Sequence, residues 1–299
     1  MRIGLFGGTG HATIDRIVDA ARGAAHDGFA SFWLPQVFGL DAMGMLAIVG
    51  REVPRIELGT AVVPTYPRHP ATMAQQALTV QAASGNRFAL GIGLSHQIVI
   101  ENMFGFSFEK PVRHMREYLS FLMPLLHERS AQFDGDTVSF HGSLDVGDVA
   151  APPVLVAALG TQMLELTGRV ADGTVTWMTG PSTITNHIVP TITKAASGAG
   201  RPAPRIGASL PFCVTADPDG ARARAARDFT VYGMLPSYRA MLDREGAEGP
   251  ADVAIVGDEA ACRAAVDRMR DAGVTDFVAN IFGERDDRDR SRALLKSLL

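Results

Sequence analysis

The chain has 299 residues, of which 46% are hydrophobic and 20% are charged, so it can bury a large core as one barrel or as two medium domains. Its net charge of −4 comes from interspersed acidic and basic residues, without the basic stripe that a nucleic acid partner would require. The two cysteines have no histidine at ligand spacing, and no apolar run approaches the roughly 20 residues that span a bilayer, so we expect no metal site, no membrane insertion and a cytoplasmic location.

Short apolar runs alternate with longer segments of helical period along the whole chain. This alternation is typical of parallel strands joined by crossover helices. The first crossover helix is expected to follow an N-cap at Thr13 and to end at Gly28. The predicted strands are Arg2–Phe6, Ser31–Leu34, Ile56–Val63, Arg87–Ile92, Pro153–Ala157, Thr174–Trp177, Arg205–Val214 and Asp276–Ile281. Eight strand–helix units favour a closed (β/α)8 TIM barrel, in which the active site lies at the carboxyl ends of the strands.

Two segments depart from this alternation, and we expect both to be insertions in the barrel. One is a hairpin-like stretch, Ala131–Leu144, with a turn at Asp134-Gly135-Asp136. The other is a helical region, Asp217–Glu245, that is interrupted at Gly233 and Pro236. Because no low-complexity linker or shift in composition marks a second domain, we expect a single domain over residues 1–299.

The first predicted strand ends in a glycine-rich turn, Gly4-Leu5-Phe6-Gly7-Gly8-Thr9-Gly10-His11. A similar turn opens the dinucleotide-binding Rossmann fold. A Rossmann site would also need an acidic residue at the end of the second strand to hold the ribose, whereas that strand ends in Trp33-Leu34-Pro35-Gln36. The barrel is therefore favoured, and in a barrel these glycines let the backbone approach a ligand above the first strand.

The third predicted strand contains glycine and proline inside an apolar run, Gly59-Thr60-Ala61-Val62-Val63-Pro64. These residue types indicate a bulge or bend. A strand that bulges into a barrel can press its backbone and Val62 against one face of a planar ring, which leaves the other face for a substrate. The alternative is an irregularity of the strand without function.

The fourth and fifth strands carry further glycine and polar residues to the same end of the barrel. The fourth strand runs into Gly91-Ile92-Gly93-Leu94-Ser95-His96, where the glycines leave room for a ligand and His96 can exchange a proton near neutral pH. After the fifth strand, Gly160-Thr161 lead into a helix whose free N–H groups can bind a phosphate. Each feature also has an ordinary alternative, namely a packed or solvated histidine and a plain strand-to-helix turn.

Together these motifs resemble the luciferase-like monooxygenase superfamily, and most closely its branch that uses coenzyme F420, which includes methylenetetrahydromethanopterin reductase. No single motif is diagnostic; the resemblance rests on their order and spacing over nearly the whole chain. The motifs are Gly59-Thr60-Ala61-Val62, Pro64, Tyr66, Arg68-His69-Pro70, Gly91-Ile92-Gly93, Lys110-Pro111 and Gly168-Arg169-Val170-Ala171-Asp172-Gly173.

The resemblance implies that coenzyme F420 is the cofactor, with its ring against the bulged third strand. It also implies a non-prolyl cis peptide bond between Ala61 and Val62. The residues expected to contact the cofactor ring are Ala61, Val62, Pro64, Gly93 and Ser95, and those expected at its phosphate are Ala157, Ala158, Gly160 and Thr161.

Three polar residues are expected near the ring: Gln36, His96 and His11. His96 is the first candidate for the proton donor, and His11 is the second. Members of the family that oxidise a sugar alcohol carry an Asp-His pair after the second strand and a Glu after the fourth. This chain has Pro35-Gln36 and His96 at those places, which argues against sugar-phosphate oxidation.

The sequence therefore predicts an F420-dependent oxidoreductase that transfers a hydride between C5 of the deazaflavin and a small organic substrate. Two alternatives stay open: an FMN-dependent monooxygenase on the same barrel, and a barrel that binds a cofactor without catalysis. The resemblance further implies a homodimer.

Overall fold

The computed structural model describes residues 1–299, and its strands follow the predicted ones with a few informative differences. The strands are β1 (Arg2–Phe6), β2 (Ser31–Leu34), β3 (Glu57–Thr60), β4 (Val63–Pro64), β5 (Phe88–Gly93), β6 (Ser130–Asp134), β7 (Ser139–Ser143), β8 (Val154–Val156), β9 (Gly173–Trp177), β10 (Arg205–Val214), β11 (Ile255–Gly257) and β12 (Asp276–Ile281). The helices are α1 (Ile14–Asp27), α2 (Ala42–Glu52), α3 (Pro70–Ala83), α4 (Gln97–Asn102), α5 (Pro111–His127), α6 (Thr161–Val170), α7 (Pro181–Thr183), α8 (Val189–Gly198), α9 (Pro218–Asp228), α10 (Thr230–Met234), α11 (Pro236–Glu245), α12 (Pro250–Val253), α13 (Glu259–Asp271) and α14 (Arg285–Lys296), with a π-helical turn, Ile184–Ile188, before α8.

Parallel pairing runs around the molecule and returns to its starting strand. The order is β1, β2, β3, β5, β8, β9, β10, β12, after which β12 pairs with β1 and closes the barrel. Closure confirms the predicted (β/α)8 barrel and rules out the open sheet of the Rossmann alternative.

The core has two parts, one inside the barrel and one between the strands and the surrounding helices. The lumen is filled by Trp33, Ala89, Leu155, Val175 and Val278, while 63 buried residues form the cluster between strands and helices. The first helix shows how the sequence builds this outer layer. Thr13 accepts a hydrogen bond from the N–H of Arg16 at 3.3 Å, and Gly28 ends the helix with a φ of 89°, both as predicted.

The differences from the predicted elements fall mainly at the third strand and at the insertions. The third strand is split into β3 and β4. The hairpin is confirmed as antiparallel β6 and β7. The helical insertion breaks at Phe229 and at Leu235, just before Pro236, whereas Gly233 lies inside α10. The short strand β11, which pairs with the end of β10, was not predicted. None of the helices combines the length and the apolarity needed to cross a membrane.

Candidate active site

The third barrel strand is interrupted by a cis peptide bond between Ala61 and Val62, as the resemblance implied. Thr60 fastens the strand just before the break. Its hydroxyl donates to the carbonyl of Gly91 and accepts from the N–H of Gly91, both at 2.8 Å. Ala61 and Val62 are half-buried and pack on the side chains that fill the lumen. The bulge therefore presents a small apolar surface at the carboxyl end of the barrel.

Gly93 keeps the space beside this bulge open. A β-carbon at Gly93 would lie 2.6 Å from Cγ2 of Val62 and 3.2 Å from Cβ of Ala157, both closer than the distance at which carbon atoms pack. Pro64 pairs with Gly93 in the register of β4 and β5. Four predicted cofactor residues from three parts of the sheet thus meet at one place, and half-buried Ser95 follows them with a φ of 61°.

Gly59, by contrast, serves the core rather than the site. A β-carbon there would overlap the indole of Trp33, which is fully buried in the lumen. The glycine that looked anomalous within the strand is required because Trp33 packs flat against the backbone of β3.

The turn after β8 contains the predicted phosphate contacts, and they are not equivalent. The N–H of Ala157 donates to the carbonyl of Ile92 at 2.8 Å, and the N–H of Ala158 donates to the hydroxyl of Thr174 at 3.3 Å. The N–H groups of Gly160 and Thr161 have no acceptor within the protein, and no side chain caps α6. An anion can therefore bind to Gly160 and Thr161, whereas Ala157 and Ala158 position the turn through bonds already made.

The three predicted polar residues lie in different surroundings, and no hydrogen bond links their side chains. His96 is half-buried, and burial lowers the pKa of its imidazole below the usual 6.5. Oε1 of Gln36 accepts from the N–H of Ala42 at 2.8 Å, so its amide helps to begin α2. His11 is exposed in the turn after β1, with a φ of 52°.

Several aromatic residues that the sequence did not single out lie over the barrel mouth. The ring centroids of Phe6 and Trp177 are 6.1 Å apart, those of Trp177 and Tyr232 are 5.7 Å apart, and those of Tyr232 and Tyr238 are 5.3 Å apart. The ring of Tyr238 lies 5.5 Å from that of His96. We call Phe6, Trp177, Tyr232 and Tyr238 the aromatic roof. Its members come from the ends of β1 and β9 and the insertion after β10.

The roof contains a buried donor, Nε1 of Trp177, that makes no hydrogen bond of regular geometry and lies near the hydroxyl of Tyr232. Buried N–H groups are rarely left unpaired, so this N–H can donate to the Tyr232 hydroxyl after a small side-chain shift or to a bound molecule. The position of Phe6 and Trp177 at strand ends was a usable signal. Tyr232 and Tyr238 had none, because they lie in an insertion whose path is set by tertiary packing.

His187 is a further residue that sequence reasoning missed. It lies on the π-helical turn, and its Nε2 is 2.7 Å from the carbonyl oxygen of Leu159. This contact holds the turn that leads to Gly160.

The family model described as luciferase-like monooxygenase matches residues 1–276. The chain belongs to this family. Among its luciferase-like relatives, the 5,10-methylenetetrahydromethanopterin reductase of Methanolobus tindarius is 28% identical over 289 residues, covering 95% of this chain and 86% of that protein. The F420-dependent glucose-6-phosphate dehydrogenase of Mycobacterium leprae is 28% identical over 191 residues, covering 61% of this chain and 56% of that protein.

A solved structure has the same fold. It is an F420-dependent secondary alcohol dehydrogenase in complex with an F420-acetone adduct, and it superposes with a TM-score of 0.84 over 100% of this chain and 98% of that one, at 19% identity. The resemblance to the luciferase-like superfamily and the predicted enzyme class, an oxidoreductase of the luciferase-like class, are thereby confirmed.

Proposed function

We propose that this luciferase-like enzyme is a coenzyme F420-dependent oxidoreductase acting on a small organic substrate. The observation that carries the proposal is the bulge at Ala61–Val62, which faces the space kept open by Gly93. The bulge lies at the same end of the barrel as the free N–H groups of Gly160 and Thr161. A planar ring and a phosphate in one cofactor match these two features. When bound, the deazaflavin supplies or accepts a hydride at C5.

The residues of the chain fit this cofactor in complementary ways. Ala61 and Val62 would support one face of the ring, and the missing side chain of Gly93 leaves space at its edge. Gly160 and Thr161 would donate their N–H groups to the phosphate at the start of α6.

We assign proton exchange with the substrate to His96. Because burial lowers the pKa of its imidazole, the ring is mostly neutral at pH 7 and accepts a proton when substrate is oxidised. For reduction, its capacity to donate a proton rises as the pH falls through that lowered pKa.

A pH profile of turnover tests this assignment. With cofactor saturating, we expect kcat for reduction to increase as the pH falls below about 6.5, and the increase to disappear in His96→Gln. His11→Gln is the matched variant, since His11 is the second candidate. Loss of the increase in His11→Gln alone would transfer the role to His11, and an unchanged profile in His96→Gln would refute the assignment.

The cofactor is tested by fluorescence-quench titrations of the protein with coenzyme F420 and with FMN at matched concentrations. We expect coenzyme F420 to bind more tightly. Tighter binding of FMN, together with oxygen consumption in the presence of reduced FMN, would favour the monooxygenase alternative. If neither cofactor binds, the non-catalytic alternative becomes the better one.

Three further features belong to the proposal: a single domain over residues 1–299, a homodimer, and a cytoplasmic location. Sedimentation velocity of the purified protein tests the homodimer, and limited proteolysis tests the single domain, which should resist cleavage between its elements.

A further inference from the structure

Most of the large apolar side chains exposed by the protein surround the mouth of the barrel. They are Val37, Phe38 and Leu40 after β2, Ile98, Met103, Phe104 and Phe106 after β5, and Val231 and Met234 after β10. Only Ile14 and Leu299 among the exposed large apolar residues lie outside these segments. We call the nine residues the apolar rim. Exposed apolar surface concentrated in this way marks a binding surface rather than ordinary surface composition.

The rim is continuous with the candidate active site. The rings of Phe38 and Phe104 stack with centroids 6.2 Å apart, so the segments after β2 and β5 touch. The third segment is α10, which also carries Tyr232 of the aromatic roof. Through Tyr238 this roof reaches His96, which directly precedes α4 of the rim.

Two acidic side chains within the segments of the rim, Asp41 and Glu101, are occupied by the protein itself. Asp41 pairs with Arg68 at 2.6 Å and also accepts from the N–H of Gly44 at 2.7 Å. Glu101 accepts from Gln97 at 3.0 Å and from the N–H of Phe108 at 3.3 Å. Since these two carboxylates have partners and the nine residues of the rim are apolar, the rim itself recognises apolar shape rather than charge.

From this arrangement we infer that the substrate is an uncharged, extended apolar molecule whose reacting carbon lies under the aromatic roof and whose apolar part lies along the rim. The inference rests on the proposed function and specifies its substrate class. An interface between two copies over the rim would cover the mouth that the substrate must enter, so the substrate is the occupant favoured by the continuity between rim and roof.

The test measures binding to the cofactor-free protein by quenching of tryptophan fluorescence, because Trp177 lies in the roof. The probes are straight-chain 2-ketones from 2-heptanone to 2-undecanone, with glucose 6-phosphate as a polar anionic probe. We expect the Kd of the ketones to fall by about two- to fourfold with each added methylene, as burial of apolar surface requires, and glucose 6-phosphate not to bind.

Phe38→Ser/Phe104→Ser should flatten this dependence on chain length, whereas Leu299→Ser, which removes an equally exposed apolar side chain away from the mouth, should preserve it. Far-UV circular dichroism confirms that each variant is folded. A Kd that does not change with chain length in the unaltered protein would overturn the inference.

Two other occupants give different results, and either would overturn the inference. If the double variant converts a dimer to a monomer in sedimentation velocity without changing ketone affinity, the rim is an interface between copies. If it abolishes co-sedimentation with phosphatidylcholine vesicles and leaves ketone affinity unchanged, the rim binds a lipid surface. The ketone titration uses cofactor-free protein, so it is independent of the titration with coenzyme F420. Failure to bind coenzyme F420 would refute the proposed function and leave the result of the ketone titration valid.

Discussion

The two ends of the barrel are built from different chemistry. At the amino ends of the strands, Arg2, Glu57, Arg205 and Asp276 form one network, in which Nη2 of Arg205 lies 2.8 Å from both Oε1 of Glu57 and Oδ1 of Asp276. Arg2 lies 2.8 Å from the same Asp276 oxygen. At the carboxyl ends, glycines, half-buried apolar side chains and N–H groups without acceptors line the candidate site.

The difference shows how the fold separates stability from binding. At the amino end the charged groups pair with one another, so they offer no free donor or acceptor to a ligand. At the carboxyl end the N–H groups of Gly160 and Thr161 are left for a bound molecule. Substitutions at the two ends should therefore affect different measurements.

The largest expected effect is that of Asp276→Ala at the amino end. Burial acts to raise the pKa of Asp276, but hydrogen bonds from Arg205 and Thr275 and the charges of Arg205 and Arg2 outweigh it and hold the pKa below its usual value. Removing the carboxylate leaves two guanidinium groups with Glu57 alone, so we expect the free energy of unfolding to fall by about 3 kcal/mol in a denaturant titration. The Kd of coenzyme F420 should not change.

The control for this variant is Glu284→Ala, which breaks the exposed ion pair with Arg224. An exposed pair contributes little, so the loss should stay below about 0.5 kcal/mol. Equal losses in the two variants would contradict the special role of the buried network.

The next effect concerns the carboxyl end. In Gly93→Ala the new methyl group would lie 2.6 Å from Cγ2 of Val62, so Val62 or the bound ring must move. We expect coenzyme F420 to bind roughly a hundredfold more weakly, with a smaller change in unfolding free energy than in Asp276→Ala. Gly198→Ala, at the end of α8 and away from the site, is the matched control, because a β-carbon there meets open space. Equal affinity in Gly93→Ala and Gly198→Ala would show that the ring does not lie beside Gly93.

The sequence predicted more of the carboxyl end than of the amino end. Strand positions and the barrel follow from the alternation of short apolar runs and helical segments, which depends on local composition. The bulge, Gly93 and the helix start at Gly160 were also found, because glycine and proline leave a signal in the sequence.

What the sequence could not give are contacts between distant segments. The aromatic roof joins Phe6 to Tyr232 and Tyr238, which lie more than half the chain away, and no local pattern links them. The ion network joins the first residues of four strands for the same reason. The sequence singled out Gly59 for the wrong reason, since the absence of a side chain there makes room for Trp33 rather than for the ring.

The smallest expected effect is on the pH dependence of stability at the carboxyl end. At the carboxyl end, His114 stacks on Tyr66 with ring centroids 4.0 Å apart and lies 3.0 Å from the hydroxyl of Thr65. Burial lowers its pKa to about 4, and the charge of Glu117 opposes the shift only in part. Because the folded state favours the neutral ring, the contribution of His114 to the unfolding free energy is complete above about pH 6.5. It is lost as the pH falls from about 6.5 to about 4.

The two ends should therefore lose stability in different pH ranges. Asp276, whose pKa is lowered, contributes stability above its unfolded value of about 3.9 and loses it only as the pH falls through its lower folded value. Between pH 6.5 and 4 we expect His114 to account for a decrease of about 2.5 kcal/mol in unfolding free energy. That decrease is absent in His114→Phe, whereas the contribution of His96, whose pKa burial also lowers, remains. His127→Gln, an exposed histidine on the same helix, should keep the decrease. If His114→Phe keeps it as well, the acid-sensitive group of the carboxyl end is another residue.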